Sequence, residues 1–122
     1  MKNDPKILEF HREQIEFGFI ESVSIYKNIE DIDMTTDLTL TLFNYPYVSG
    51  DRKMLVTFYD VKELSLGELE GLFKTVFSIT NISSFQMENI NYRVVEDENN
   101  LMRFNCKDFK FSFIENEKGG KK

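Results

Sequence analysis

The stretch DLTLTLFN, residues 37–44, decides the fold class, because apolar and other residues alternate along it with a period of two. Every second residue is a leucine (Leu38, Leu40 and Leu42), and the residues between them are Thr39, Thr41 and Phe43. Successive side chains of a β-strand point to opposite faces of the sheet. The pattern therefore predicts a strand with one buried face.

The same alternation recurs in both directions from this stretch. It returns in MLVTFYDVKEL, residues 54–64, after the turn-rich segment YPYVSGDRK, and the two strands predict a hairpin. Further strands are predicted at residues 19–26, bent near the start by Gly18 and Glu21, and at residues 76–83. A second hairpin joins residues 90–94 to residues 102–106 across the turn EDENN.

The alternation changes phase after Cys106. Apolar residues occupy even positions up to Cys106 and odd positions from Phe109 to Phe113. A turn or bulge at Lys107 and Asp108 would return both apolar sets to the core.

Two short helices are predicted. Asp4 and Pro5 fit an N-cap and first helical position, for a helix that ends near Phe17. Ser65 and the glutamate three residues later have the form of a capping box, which predicts a second helix at residues 66–74. Glycines at 67 and 71 weaken that helix, and two irregular strands are the alternative.

These elements predict a mainly β fold, an antiparallel β-sandwich or strongly curved sheet of about six or seven strands, with one or two short helices. An α+β arrangement with one sheet covered by helix is the alternative. Residues 1–115 are expected to form a single domain, and residues 116–122 a disordered basic tail.

Net charge and hydropathy restrict the classes of molecule that the chain is expected to bind. The 122 residues carry a net charge of −6, and without Lys118, Lys121 and Lys122 the rest has 12 basic against 21 acidic residues, a net of −9. Such acidity disfavours nucleic acid and favours a basic protein partner. No apolar run approaches the roughly 20 residues that span a bilayer, and acids interrupt the N-terminus, so a cytoplasmic protein without membrane contact is expected.

Few residues are suited to catalysis or to cofactor binding. Cys106 and His11 are single, which excludes a disulfide and any zinc site of several thiolates or histidines within one chain. Cys106 is predicted to be a small buried side chain. The acidic run at residues 96–98 is predicted to be a solvated turn, and no phosphate, dinucleotide, zinc-protease or esterase motif is present. We expect no cofactor, no metal and no catalytic residue.

Candidate contacts for a protein partner lie in two loops. The acidic segment NIEDIDMTTD lacks the glycine turn and late glutamate of a calcium loop and is predicted to be exposed. Tyrosines in a loop are frequent anchors of interfaces. The predicted partner-binding residues are Glu30, Asp31, Asp33 and Asp37, which would steer a basic partner, and Tyr45 and Tyr47, which would anchor it.

Three strings, DLTLTL, LVTFYDVKEL and INYRVVEDENNLMRFNCKDFKF, resemble a pattern of small bacterial proteins, some of which are similar to immunity proteins of polymorphic toxin systems. The resemblance covers roughly residues 19–114 and brings no functional residues with it. It implies a bacterial cytosolic protein with a tight protein partner.

The leading hypothesis is therefore a non-enzymatic binding protein, an immunity-like inhibitor of a basic toxin. One alternative is a carrier of a small apolar ligand or lipid in the Phe-rich interior. The other is an enzyme that uses His11 with a carboxylate such as Glu9 or Glu13. Residues 9 and 13 share one helical face while residue 11 points elsewhere, so local geometry disfavours the enzyme.

Overall fold

The computed structural model describes residues 4–115. This part of the chain forms one α-helix, eight β-strands and a short 3₁₀ helix, Ser83–Phe85. The helix is α1 (Pro5–Gln14), and the strands are β1 (Phe19–Lys27), β2 (Thr36–Phe43), β3 (Lys53–Tyr59), β4 (Lys62–Leu66), β5 (Phe77–Asn81), β6 (Tyr92–Glu96), β7 (Met102–Cys106) and β8 (Asp108–Ile114). The predicted tail, residues 116–122, lies outside the described residues.

The strands form two antiparallel four-stranded sheets. Sheet A has the strand order β1-β2-β3-β8, and sheet B has the order β4-β7-β6-β5. The mainly β fold predicted from the alternation is confirmed. A bulge at Glu21 interrupts the register between β1 and β2, which agrees with the bend predicted near the start of this strand.

One bent antiparallel ribbon joins the two sheets. β3 pairs with β8 in sheet A, and their continuations β4 and β7 pair in sheet B. At the bend, the Lys107 N–H donates to the Tyr59 carbonyl at 2.9 Å, and Asp60 adopts a φ of 56°. The strand predicted over residues 54–64 is thus two strands in different sheets, which raises the strand count to eight. Strands that switch sheets through a bend are a common way to build the corner of a sandwich.

The core lies between the inner faces of the two sheets. Phe58 of sheet A and Phe104 of sheet B meet edge to face, with 4.8 Å between ring centroids. Phe10 of α1 and Phe77 of β5 are also fully buried, and most other fully buried side chains come from β2, β3, β6, β7 and β8, among them Leu38, Leu40, Leu42, Met54, Val56, Val94, Cys106 and Phe109. The predicted leucine face of β2 is therefore confirmed as core.

The predicted change of phase is also confirmed. Lys107 lies alone between β7 and β8 and is exposed, whereas Cys106 before it and Phe109 after it are buried. Burial raises the pKa of the Cys106 thiol to about 12, so the thiol is protonated at neutral pH and acts as a small apolar side chain, as predicted.

The predicted second helix at residues 66–74 is wrong. β4 extends into the start of this segment, and the Gly67 N–H then donates to the Leu101 carbonyl at 2.7 Å. Farther along, the Thr75 N–H and hydroxyl donate to the Gly18 carbonyl at 2.6 and 2.8 Å. Bonds to distant segments replace the local bonds of a helix that two glycines already disfavour.

Asp4 caps α1 as predicted. Its carboxylate accepts from the backbone N–H groups of Lys6 and Ile7 at 3.1 and 3.4 Å, which satisfies donors that have no partner inside the helix. Ile7 and Phe10 bury the inner face of α1 in the core. The helix ends at Gln14 and is shorter than predicted.

Side chains of α1 bind the backbone of β5, the edge strand of sheet B. The Gln14 amide acts as a peptide group would: its Nε2 donates to the Phe77 carbonyl at 2.6 Å, and its Oε1 accepts from the Phe77 N–H at 2.9 Å. His11 Nε2 accepts from the Ile79 N–H at 3.0 Å. Unpaired groups of an edge strand are a template for pairing with other chains, and α1 satisfies three of them here.

Glu96 corrects the prediction of a solvated turn at residues 96–98. Its side chain is fully buried. One carboxylate oxygen accepts from the N–H groups of Val76 and Glu98, both at 3.0 Å. The other accepts from those of Asn99 and Leu101 at 2.9 and 3.1 Å. A buried carboxylate is stable when N–H donors surround it, and this one fastens the β6–β7 turn to the segment before β5.

We expect Glu96→Gln to lower the free energy of unfolding by about 3 kcal/mol, because the amide NH₂ faces backbone N–H groups that then lose their acceptor. Urea unfolding followed by circular dichroism measures the loss. The control is Glu98→Gln, an exposed neighbour with the same change of charge, which should alter stability by less than about 0.5 kcal/mol. Equally small effects in both variants would show that the buried carboxylate is not needed.

Candidate functional site

The loop between β1 and β2, residues 28–35, is held closed by Asn28. Its backbone N–H donates to the Thr35 carbonyl at 2.9 Å. Its side-chain Nδ2 donates to the same carbonyl at 3.1 Å, to Thr35 Oγ1 at 2.9 Å and to Asp37 Oδ2 at 3.3 Å. Two turns follow inside the loop, closed by the N–H groups of Asp31 and Met34. The β1–β2 loop is therefore braced from both of its ends.

This braced loop exposes large apolar side chains. Ile32 at its tip is 100% exposed, Ile29 is 70% exposed and Met34 is 53% exposed. Ile25 and Tyr26, at the end of β1 beside the loop, are also more than half exposed. Single exposed apolar residues are ordinary on a protein surface, but five lie within residues 25–34, and concentrated apolar exposure of this kind marks interaction sites.

The acidic residues of the loop lie among these apolar side chains. Glu30, Asp31 and Asp33 are exposed, and the last two flank Ile32 directly in the sequence. A shallow concavity of about 370 Å³ runs beside them, lined by Tyr26, Asn28, Ile29, Glu30 and Asp31. Negative charge and apolar area therefore occupy the same surface.

Asp37, the fourth predicted acidic residue, is placed differently. It lies in β2 and is half-buried. One carboxylate oxygen accepts from the Asp60 N–H at 3.1 Å, and the other accepts from Asn28. Its charge still faces the loop, while its hydrogen bonds hold the loop to the bend between the sheets.

Tyr45 and Tyr47 lie at the opposite end of β1 and β2. The Tyr45 ring is 55% exposed and packs on Phe19, with 5.6 Å between centroids. The half-buried Tyr47 ring packs on Phe43 and lies 5.2 Å from Lys53 Nζ. Because the intervening strands span about 25 Å, the structure does not bring the tyrosines together with the acidic loop.

The sequence pattern does not reveal the apolar half of the loop surface. Ile29, Ile32 and Met34 follow neither a helical nor a strand period, so the acids alone predict a solvated loop. The available signal was three large apolar residues within a short acidic connection. Apolar residues without a period in a polar loop are the kind that either fold inward or form contacts with a partner.

The residues behind the two alternative functions, an enzyme that uses His11 and a carrier with a Phe-rich interior, have structural roles. His11 is half-buried and its Nε2 is bound to the Ile79 N–H. Burial lowers the pKa of His11, while the negative charge of Asp97 acts in the opposite direction. In the Phe-rich interior, which the carrier alternative would use for its ligand, Phe104 and Phe109 are buried and packed against Phe58.

Residues 4–115 hold neither a membrane-spanning helix nor a cluster of metal-binding side chains. No helix there is long and apolar enough to cross a membrane. Within the same residues, no group of three or more His, Cys, Asp or Glu side chains is arranged to hold a metal ion.

Comparison with known proteins identifies a protein family. The family model described as Immunity protein PIM8 matches residues 2–112, which is most of the chain. This match confirms the resemblance to immunity proteins noted in the sequence. No curated protein and no solved structure matches the chain.

The contact of His11 with β5 predicts a pH dependence. The imidazole accepts an N–H only when it is unprotonated, and its pKa is lowered on folding, so the unfolded chain binds the proton more readily. The stabilisation is therefore fully present above the unfolded pKa of about 6.5 and is lost as pH falls below it towards the folded pKa.

We expect the melting temperature to fall by roughly 2 °C more in the wild type than in His11→Gln between pH 7.5 and pH 5.5. Glutamine offers an acceptor that does not titrate, and every other group is common to both proteins. Differential scanning fluorimetry measures the two slopes. Identical slopes would show that His11 titration does not contribute to stability.

Proposed function

Because the chain belongs to the family of immunity protein PIM8, we propose that it is a non-enzymatic inhibitor that neutralises a toxin by binding to it. The proposal places the protein in the cytoplasm of a bacterium, where it would meet a toxin that arrives there or is made there.

The observation that carries the proposal is the composition of the β1–β2 loop. Ile32 is fully exposed between two exposed aspartates, on a loop that Asn28 braces. A large apolar side chain held in water is unfavourable for the free protein and becomes favourable when a partner covers it. A braced loop also loses little conformational entropy on binding, which is how pre-organised interfaces gain affinity.

We propose that the partner surface is basic. Glu30, Asp31 and Asp33 would attract it over distances of about one Debye length, roughly 10 Å at 0.1 M salt. Such attraction mainly raises the association rate, whereas buried apolar contacts mainly lower the dissociation rate. The two kinds of residue in the loop therefore have separable kinetic effects.

Tyr45 and Tyr47 are proposed to form a second contact. An interface of ordinary size covers about 800 Å² on each partner, a patch roughly 30 Å across. A toxin of that footprint reaches from the acidic loop to the tyrosines along the exposed edge strand β1. Tyr45 is the stronger anchor of the two, because more of its ring is accessible.

The acidic residues predict a salt-dependent association rate. We expect Asp31→Asn with Asp33→Asn to slow association with the toxin about tenfold at low salt and to flatten the dependence on salt. The toxin is taken from the adjacent gene or from affinity capture, and surface plasmon resonance between 0.05 and 1 M salt gives both rates. Glu88→Gln with Glu98→Gln makes the same change of net charge elsewhere on the exposed surface. If both double variants slow association equally, net charge steers the partner and the loop does not.

Ile32, the apolar residue at the tip of the loop, is expected to affect the dissociation rate rather than the association rate. We expect Ile32→Ala to raise the dissociation rate at least about tenfold, as for a central interface anchor, while the association rate and melting temperature stay nearly unchanged. Leu72→Ala truncates an apolar side chain of similar size that is 55% exposed elsewhere, and serves as the control. Unchanged dissociation in Ile32→Ala would place the loop outside the interface.

A further inference from the structure

A second polar site lies on the outer face of sheet B, around two arginines. Arg93 of β6 stands opposite Asn105 of β7, and Arg103 lies two positions earlier on β7. Side chains in this diagonal relation on neighbouring strands are roughly 7–8 Å apart at their bases. Two long guanidinium side chains at that separation can converge on one small group.

Asn105 orients the first arginine. Arg93 Nε donates to Asn105 Oδ1 at 3.4 Å, and Asn105 Nδ2 donates to Glu63 Oε1 at 3.2 Å. Asn105 is only 6% exposed, so this chain of bonds across three strands starts from a fixed amide. The hydrogen bond to Asn105 uses the Nε of Arg93, so the two terminal guanidinium nitrogens remain available to another acceptor.

A bulge in β4 places the carboxylate at the end of this chain. Glu63 and Leu64 together stand opposite the single residue Phe104 between two regular pairs, and Glu63 adopts a φ of 58°. A left-handed conformation is unfavourable for a residue with a side chain, and bulges often redirect side chains at functional sites. Here the bulge lets Leu64 pack on the core while Glu63 reaches Asn105 on the outer face.

These side chains surround a concavity of about 390 Å³, lined by Glu63, Arg93, Arg103, Phe104 and Asn105. Among residues 4–115, the side chains of Arg93 and Arg103 have no ion pair, and the Arg103 side chain makes no hydrogen bond. The chain has two other arginines: Arg12 pairs with Glu13, and Arg52 lies over an aromatic ring. Half of the arginines of an acidic protein thus share one concavity without a counter-charge in contact.

We propose that this concavity binds a small-molecule oxyanion, a carboxylate or a phosphate, between the guanidinium groups of Arg93 and Arg103. The planar fork of a guanidinium matches two oxygens of either group, and the concavity has room for one such group. This site is separate from the acidic loop and does not depend on the proposed function.

The charge of Glu63 should weaken the binding of an anion in this concavity. Its carboxylate lines the concavity and repels an anion, yet it lies beyond ion-pair distance of both arginines. Glu63→Gln retains an acceptor for Asn105 and removes the charge. Anion affinity should therefore rise in this variant, by more than in Glu98→Gln, which makes the same change of charge on an exposed turn.

The test is a titration of the full chain with inorganic phosphate and, separately, with succinate, at constant ionic strength set by chloride. Nitrogen-15 NMR of the arginine Nε–H signals and of the β6 and β7 amides reports binding. We expect saturable shifts confined to this face, and an affinity about tenfold weaker in Arg93→Gln and in Arg103→Gln, each of which loses charge-assisted hydrogen bonds. Arg12→Gln, the charge-matched control, should stay within about twofold of the wild type.

Saturation by phosphate alone, by succinate alone or by both supports the proposal and identifies which oxyanion the site prefers. The proposal is overturned if neither anion saturates below about 50 mM, or if Arg12→Gln weakens binding as much as Arg103→Gln. Melting temperatures of all variants accompany the titrations. The Glu63→Gln variant keeps both arginines, so its affinity tests the site even if an arginine variant proves unstable.

Discussion

The bend at Asp60 is the constraint on which the rest of the structure depends. Its left-handed backbone turns the ribbon from one sheet into the other, its N–H is accepted by Asp37, and its carboxylate pairs with Lys62 Nζ at 2.7 Å. The other oxygen of Asp37 accepts from Asn28, at the base of the β1–β2 loop. The Asp37 side chain therefore forms hydrogen bonds both to the corner of the sandwich and to the β1–β2 loop, to which we assign partner binding.

The strands were predictable wherever one of their faces is buried and the other is not. β2, β3 and β8 alternate for this reason, and their inward residues are core. The predictions failed where the deciding bonds are not local. The capping-box pattern at Ser65 predicts the start of a helix, but the Gly67 N–H donates to the distant Leu101 carbonyl instead. Glu96 shares the inward parity of Val94 in β6, yet only the surrounding N–H groups make a carboxylate stable there.

The acidic residues of the proposed binding surface can be predicted from the sequence, whereas its exposed apolar residues cannot. Acids in a turn-rich connection are solvated almost regardless of the fold, so Glu30, Asp31 and Asp33 were identified from residue type alone. Whether Ile32 points inward or outward depends on how Asn28 closes the loop, and that contact involves residues on both sides of it. The arginine concavity cannot be predicted from the sequence for a related reason. Strand register, rather than sequence spacing, places Arg93 beside Arg103.

The hydrogen bonds that make the fold rigid also favour the affinity that we propose for the loop. A flexible acidic loop would attract a basic protein equally well, because steering depends on charge at a distance. It would hold that protein less tightly, since ordering the loop would oppose the gain from burying Ile32. The bonds from Asn28 and Asp37 order the loop when the chain folds. Loosening the bend at Asp60 is therefore expected to weaken the proposed binding through the dissociation rate, even though Asp60 itself is almost fully buried.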